Sequence, residues 1–145
     1  MFKHILIPTD GSVTADKAVK AGIAFAKETG AKVTGYFGLE DINLYHVGRH
    51  ATKAMTVEFE RRGREAADEC LAKMGKSAAA AGVKFEALVT KCDEPHEGII
   101  EAAKAQKCDI IFMASHGRRG MTGVILGSVA NRVLTHSKIP VLIFR

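Results

Sequence analysis

Two short stretches of this chain hold the residues whose types and spacing could do chemistry. The first is Pro8-Thr9-Asp10-Gly11-Ser12, a carboxylate and two hydroxyls directly after the apolar run Ile5-Leu6-Ile7. The second runs from Ala114 through Ser115, His116, Gly117, Arg118 and Arg119 to Gly127 and Ser128. Gly117, Gly120, Gly123 and Gly127 let its backbone turn tightly and come close to a ligand. The loop leads into a predicted helix N-terminus at Gly127-Ser128. Unbonded N–H groups and the positive end of the helix dipole make such a terminus a seat for anions, and Arg118 and Arg119 add positive charge beside it. The pattern points to phosphate. The competing reading is a surface loop that is merely rich in glycine, with arginines for solubility.

Other reactive side chains lack partners in the sequence. His116 has no serine or cysteine nucleophile motif with it, so a loop-organising hydrogen bond is expected in place of general-base work. His46 and His50 stand at i, i+4, but no H-E-x-x-H pattern or third ligand accompanies them. The three cysteines, Cys70, Cys92 and Cys108, are too far apart for a zinc motif and odd in number for a disulfide framework. Cys70 falls on an apolar helix face and is expected to be a packing residue. A reducing, cytoplasmic setting follows as the simplest expectation. G-x-x-x-x-G-K-[ST] and G-x-G-x-x-G are both absent, which excludes a P-loop and a dinucleotide fingerprint.

The elements that would position these stretches alternate along the chain. A strand over Phe2–Pro8 is followed by a helix to about Thr29, with Ala15, Ala18, Val19, Ile23 and Ala26 on one face. Gly22 shares that face and would let the helix approach the sheet closely. Ser12 or Asp10 can cap its start and Gly30 its end. A second strand covers Ala31–Leu39. The stretch from Asp41 to about Met55 has no clear period. A helix over Thr56–Ala81 has Phe59, Ala66, Ala67, Cys70, Leu71, Met74 and Ala78 inward. A third strand (Phe85–Thr90), a helix opened by Pro95, a fourth strand (Asp109–Ala114), a helix from Ser128 to about Thr135 and a last strand (Ile139–Arg145) complete the order. This predicts one α/β domain over 1–145, a doubly wound open sheet of five mainly parallel strands in the order 3-2-1-4-5 with helices on both faces. Ligands of such sheets bind beyond the carboxyl ends of the strands, where the winding reverses.

Composition narrows the function classes. The 145 residues are 47% apolar and 26% charged, as expected of a globular chain. No apolar run approaches the roughly 20 residues of a membrane span, and the strand pattern begins at once, leaving no expected targeting segment. The net charge is +5, yet Arg61, Arg62 and Arg64 are interleaved with Glu58, Glu60 and Glu65, and aromatic residues make up only 6%. A solvated helix face explains the first and the second leaves no stacking platform, so nucleic acid is not an expected partner.

Ser115-His116-Gly117, nine residues, then Gly127-Ser128 resembles the nucleotide loop of the universal stress protein family, whose ATP-binding members carry G-x-x-G-x9-G-[ST]. The N-terminal Ile-Leu-Ile-Pro-Thr-Asp-Gly-Ser and the C-terminal Ser-Lys-Ile-Pro-Val-Leu-Ile-Phe are also similar to that family, in the same element order across the whole chain. The resemblance implies that Asp10 hydrogen-bonds the ribose hydroxyls, that Pro8 and Thr9 line the adenine and ribose side, and that Phe37 sits by the adenine. It implies that Gly117, Gly127, Ser128 and Val129 meet the phosphates through backbone N–H groups, and that Arg118 reaches the terminal phosphate. His116 and Ala114 belong to the same loop. Ala114 stands where the motif has its first glycine, and its methyl costs little unless φ is positive there. A Mg²⁺ ion would be held by the phosphates, not by protein side chains.

The expected function is therefore an ATP-binding or ADP/AMP-binding sensor or regulator in stress response, working by binding and not by turnover, with at most slow hydrolysis. Two alternatives differ in class: a nucleotide-independent interaction module of the same fold, which Ala114 keeps open, and an adenylate-transferring enzyme, which substrate-dependent release of pyrophosphate would reveal. The last strand, Val141-Leu142-Ile143-Phe144, is apolar and falls at a sheet edge without a central charge or proline. Such an edge invites a second copy in antiparallel pairing about a two-fold axis, as in the resembled family, so a homodimer is expected.

Overall fold

The computed structural model describes residues 1–41, 52–118 and 125–145. Its elements alternate as strand and helix: β1 (His4–Pro8), α1 (Val13–Thr29), β2 (Lys32–Glu40), α2 (Lys53–Ala81), β3 (Phe85–Cys92), α3 (Pro95–Ala105), β4 (Ile110–Ala114), α4 (Ser128–His136) and β5 (Val141–Phe144). The strands form one sheet in the order β3-β2-β1-β4-β5, and every neighbouring pair is parallel.

Both faces of the sheet are covered, which is why its central strands read as continuous apolar runs. Ile5, Ile7, Val33 and Phe112 pack under α1 and α2, with Ala18, Ile23, Met74 and Ala78 above them. Leu6, Ile111 and Met113 face the other way, under Ile99, Ile100 and Ala103 of α3 and Ala130 and Val133 of α4. Gly22 of α1 explains how closely the first layer sits: a Cβ there would lie 2.6 Å from Ile7 Cδ1 and 3.2 Å from Phe112 Cδ1.

The helix ends follow local chemistry. Ser12 caps α1, its Oγ accepting from Ala15 N–H at 3.1 Å, and Gly30 ends it in the left-handed conformation. Thr52 caps α2 through Met55 N–H at 3.2 Å, so the helix starts three residues before the predicted Thr56. Phe59, expected on its inner face, is 50% exposed. The cause is length. The 29 residues of α2 reach about 43 Å, whereas nine-residue β2 beneath it spans about 30 Å, so the first turns overrun the sheet. The arginine-rich face of this helix is solvated and self-paired, with Arg61 on Glu58 at 2.7 Å and Arg62 on Glu58 at 2.9 Å.

One buried polar contact ties stability to pH. His4 is 6% exposed, and its Nε2 lies 2.8 Å from Thr34 Oγ1. Burial, followed by the nearby Lys32 charge, lowers its pKa from 6.5. Below that value the unfolded chain takes up a proton that the folded chain declines, so stability falls as pH drops, by at most about 1.4 kcal/mol per pH unit. Above it the effect vanishes. Urea midpoints at pH 7.5 and 5.5 should therefore differ more in the parent than in His4→Gln, which keeps a partner for Thr34. An equal pH dependence in the two proteins would show that His4 is not the group responsible.

Candidate functional site

Because β4 lies beside β1, the chain reverses its winding there, and the two sequence stretches meet at the carboxyl ends of these strands. Leaving β1, Thr9 N–H donates to the Tyr36 carbonyl at 2.9 Å and so remains attached to β2. Gly11 then takes φ +78°, a turn that favours glycine, and its N–H reaches Thr9 Oγ1 at 3.2 Å. Asp10 projects from this turn. Its Oδ1 accepts from Ser12 N–H at 2.9 Å, and its Oδ2 accepts from the backbone N–H of Arg118 at 2.8 Å, 108 residues away.

On the β4 side the loop is pinched at its base. Ser115 N–H donates to the Phe144 carbonyl of β5 at 2.9 Å, and Gly127 N–H donates to the Ser115 carbonyl at 2.7 Å. A Cβ on Gly127 would sit 2.9 Å from that same carbonyl oxygen. Gly127 is the N-cap of α4 and carries no side-chain cap; the helix's first backbone bond runs from Asn131 N–H to the Gly127 carbonyl at 2.9 Å. The N–H groups of Ser128, Val129 and Ala130 therefore precede the intrahelical ladder and point out of its N-terminus. This helix start offers donors to an anion.

The structure gathers some of the sequence-predicted residues and separates others. Asp10, Gly117, Arg118, Gly127 and Ser128 gather at the crevice, together with Pro8 and Thr9 at the end of β1. His116 lies beneath them, its Nδ1 2.9 Å from Ser115 Oγ, the expected local bond; its Nε2 is buried without a partner among the described residues. Val129 is half-buried against the α3–α4 core. Gly127 differs from expectation in one respect: its N–H is already bonded to Ser115, so it offers a ligand close approach and leaves donation to the residues after it. The ring of Phe37, expected beside adenine, is 8% exposed and packs with Ala67 and Leu71 under α2, three residues before β2 ends. His46, His50, Arg119, Gly120 and Gly123 lie outside the described residues.

Ala114 takes the strand backbone of β4, and its methyl belongs to the core under α1. Lys107, at φ 54°, is the one non-glycine with positive φ among the described residues. The methyl at 114 thus neither strains the loop nor occupies the crevice. The thiols are poorly suited to attack: burial pushes Cys108 up to about 11 and raises Cys70 and Cys92 as well. Among the described residues no group of three or more His, Cys, Asp or Glu is arranged to hold a metal ion, and no helix is long and apolar enough to cross a membrane. Two features had no sequence signal. One is the Asp10–Arg118 contact. The other is Tyr36, which is 1% exposed, with its hydroxyl 2.7 Å from Thr90 Oγ1 and its pKa pushed up to about 12 by burial.

The sequence profile of the universal stress protein family matches residues 1–145. The universal stress protein MJ0531 of Methanocaldococcus jannaschii is 34% identical over 145 residues, covering 100% of this chain and 83% of its own length. MJ0577 of the same organism is 30% identical over 156 residues. The solved structure of MJ0577 superposes with a TM-score of 0.83 over 99% of this chain and 95% of that one. A universal stress protein solved in complex with cAMP is 25% identical, with a TM-score of 0.74 over 99% of this chain and 97% of that one. This chain belongs to the universal stress protein family.

Proposed function

We propose that this protein binds an adenine nucleotide, ATP or its products ADP and AMP, in the crevice between β1 and β4, and acts as a nucleotide-responsive regulator or sensor in stress response. One observation carries the reading: the unbonded N-terminus of α4 and the Asp10 carboxylate face the same switch point, an anion seat and a hydroxyl acceptor side by side. A relative solved with cAMP supports the choice of an adenine nucleotide. The phosphates would meet the N–H groups of Ser128 and Val129, with Arg118 near the terminal phosphate and Asp10 on the ribose. Any Mg²⁺ would be carried by the phosphates. The reading is binding in place of turnover: among the described residues burial raises the Cys70, Cys92 and Cys108 thiols, and the Ser115 Oγ–His116 Nδ1 pair has no third group on His116 Nε2 to orient it as a base. The same reading makes the protein a homodimer through β5.

Native mass spectrometry of the purified protein tests the ligand, and calorimetry with ATP tests the site. Gly127→Val is expected to weaken ATP about tenfold or more, near 1.4 kcal/mol. Its side chain would press on the Ser115 carbonyl and block the approach to the helix N-terminus. The wedge also strains the loop base, so the melting temperature must be read alongside. Unchanged ATP affinity in a folded Gly127→Val protein would place the phosphates elsewhere.

A further inference from the structure

Asp10 is already occupied twice. Each of its carboxylate oxygens accepts a backbone N–H, Ser12 on one side and Arg118 on the other, at 2.9 and 2.8 Å. The first bond fixes the turn that starts α1. The second crosses the crevice and fastens the loop that follows β4. Gly117 makes this crossing possible: a Cβ there would lie 2.5 Å from Asp10 Oδ2, and among the described residues it would meet nothing within 4 Å outside that carboxylate. Its φ is not in the left-handed region, so glycine at 117 answers to the space the carboxylate needs, not to backbone strain.

From this we infer that Asp10 is a positioning residue for the phosphate end of the site as well as a ribose acceptor. Its carboxylate holds the Gly117–Arg118 backbone at a fixed distance from the β1–α1 turn. The other end of the loop is set by Gly127 N–H on the Ser115 carbonyl, at 2.7 Å. A phosphate entering between them meets a mouth whose two sides are tied in advance, and preorganisation of this kind raises affinity without adding a contact. A carboxylate oxygen has lone pairs enough to accept from a ribose hydroxyl while keeping its backbone N–H. Asparagine cannot do the same. It has one acceptor oxygen, and its NH₂ would face the N–H of either Ser12 or Arg118. The inference rests on the nucleotide reading above and concerns how that site is built.

The test compares adenosine with ATP by calorimetry in the parent, Asp10→Asn, Gly117→Ala and the double variant. The ratio of the two affinities isolates what the phosphates contribute. If Asp10 positions the phosphate end, that ratio falls about tenfold in Asp10→Asn, the loss expected for a hydrogen bond to a charged group. Gly117→Ala, which crowds the same oxygen, should lower it similarly, and the double variant should be little worse than either single one, because both act through one contact. If Asp10 serves the ribose alone, adenosine and ATP weaken together, the ratio stays at the parent value and the inference is overturned. A ratio unchanged in Gly117→Ala overturns it too, even where Asp10→Asn fails to fold. A parent that binds neither ligand would instead refute the nucleotide reading itself.

Discussion

Valine in place of Gly35 should lower folding stability by about 3 kcal/mol, the upper range for forcing extra carbon into a filled core. Strand propensity alone argues the opposite, since valine suits a strand better than glycine. Space decides the sign. Gly35 sits in β2 between Ile7 of β1 and Ala87 of β3, with α2 directly above. A Cβ there would stand 2.5 Å from Met74 Sδ and 2.7 and 2.8 Å from two carbons of the Phe85 ring. Met74 is only 2% exposed and has nowhere to swing, and the ring is rigid. Relief requires displacing Met74 and the half-buried Phe85 ring together or lifting α2 off the sheet. Urea unfolding of Gly35→Val should show a clearly lower midpoint with an unchanged slope. A midpoint at or above that of the parent would mean that this layer is looser than its distances indicate.

The second large effect concerns assembly. Proline in place of Ile143 is expected to abolish the proposed dimer while leaving the protomer folded. Ile111 N–H bonds the Pro140 carbonyl and Ser115 N–H bonds the Phe144 carbonyl, each at 2.9 Å. Even-numbered groups of β5 therefore face β4, and the N–H and C=O groups of Val141 and Ile143 point off the open edge. A proline at 143 deletes a donor on that outer side only, where edge strands tolerate it. It would also blunt the apolar edge against a second chain. All four residues of β5 are only half-buried in the single chain, which leaves surface for a partner to cover. Sedimentation at micromolar concentration should give a dimer for the parent and a monomer for Ile143→Pro. A monomeric parent refutes the assembly, and a dimeric variant moves it to another surface.

Much of the fold could be read from local pattern. Ile5-Leu6-Ile7 and Ile110-Ile111-Phe112-Met113 are short apolar runs with no polar alternation, as strands buried on both faces must be. Ser12 and Gly30 bracket α1 as capping chemistry requires, and Gly22 marks its closest approach to the sheet. The sequence missed what depends on lengths and distant partners. Phe59 has the right spacing for an inner face, but periodicity says nothing about where the sheet beneath a helix stops. Phe37 falls on β2 as expected, and its packing against Ala67 and Leu71 depends on which face of that strand α2 covers. The Gly-rich loop and Asp10 are each visible as separate stretches. That Asp10 spends its carboxylate on the backbone of Arg118, or Gly127 its N–H on Ser115, follows only once β4 lies beside β1.

That neighbour relation also governs how the molecule is made. β1 occupies the first residues of the chain and the middle of the finished sheet. One of its flanks is closed early by β2. The other waits for Ile110 and Ile111, and the N-terminal Lys3 and His4 N–H groups wait for the Asp109 carboxylate, at 2.8 and 3.1 Å. On the ribosome, the chain through Ile111 must emerge before the central strand loses its exposed flank. Contacts of such long sequence separation slow folding, and an uncovered strand flank is prone to mispairing meanwhile. A nascent chain carrying β1, β2 and β3 alone would be a half-sheet, open along the line where the crevice later forms. No ligand of that crevice could rescue it, because the crevice comes into being only with the last step of closure.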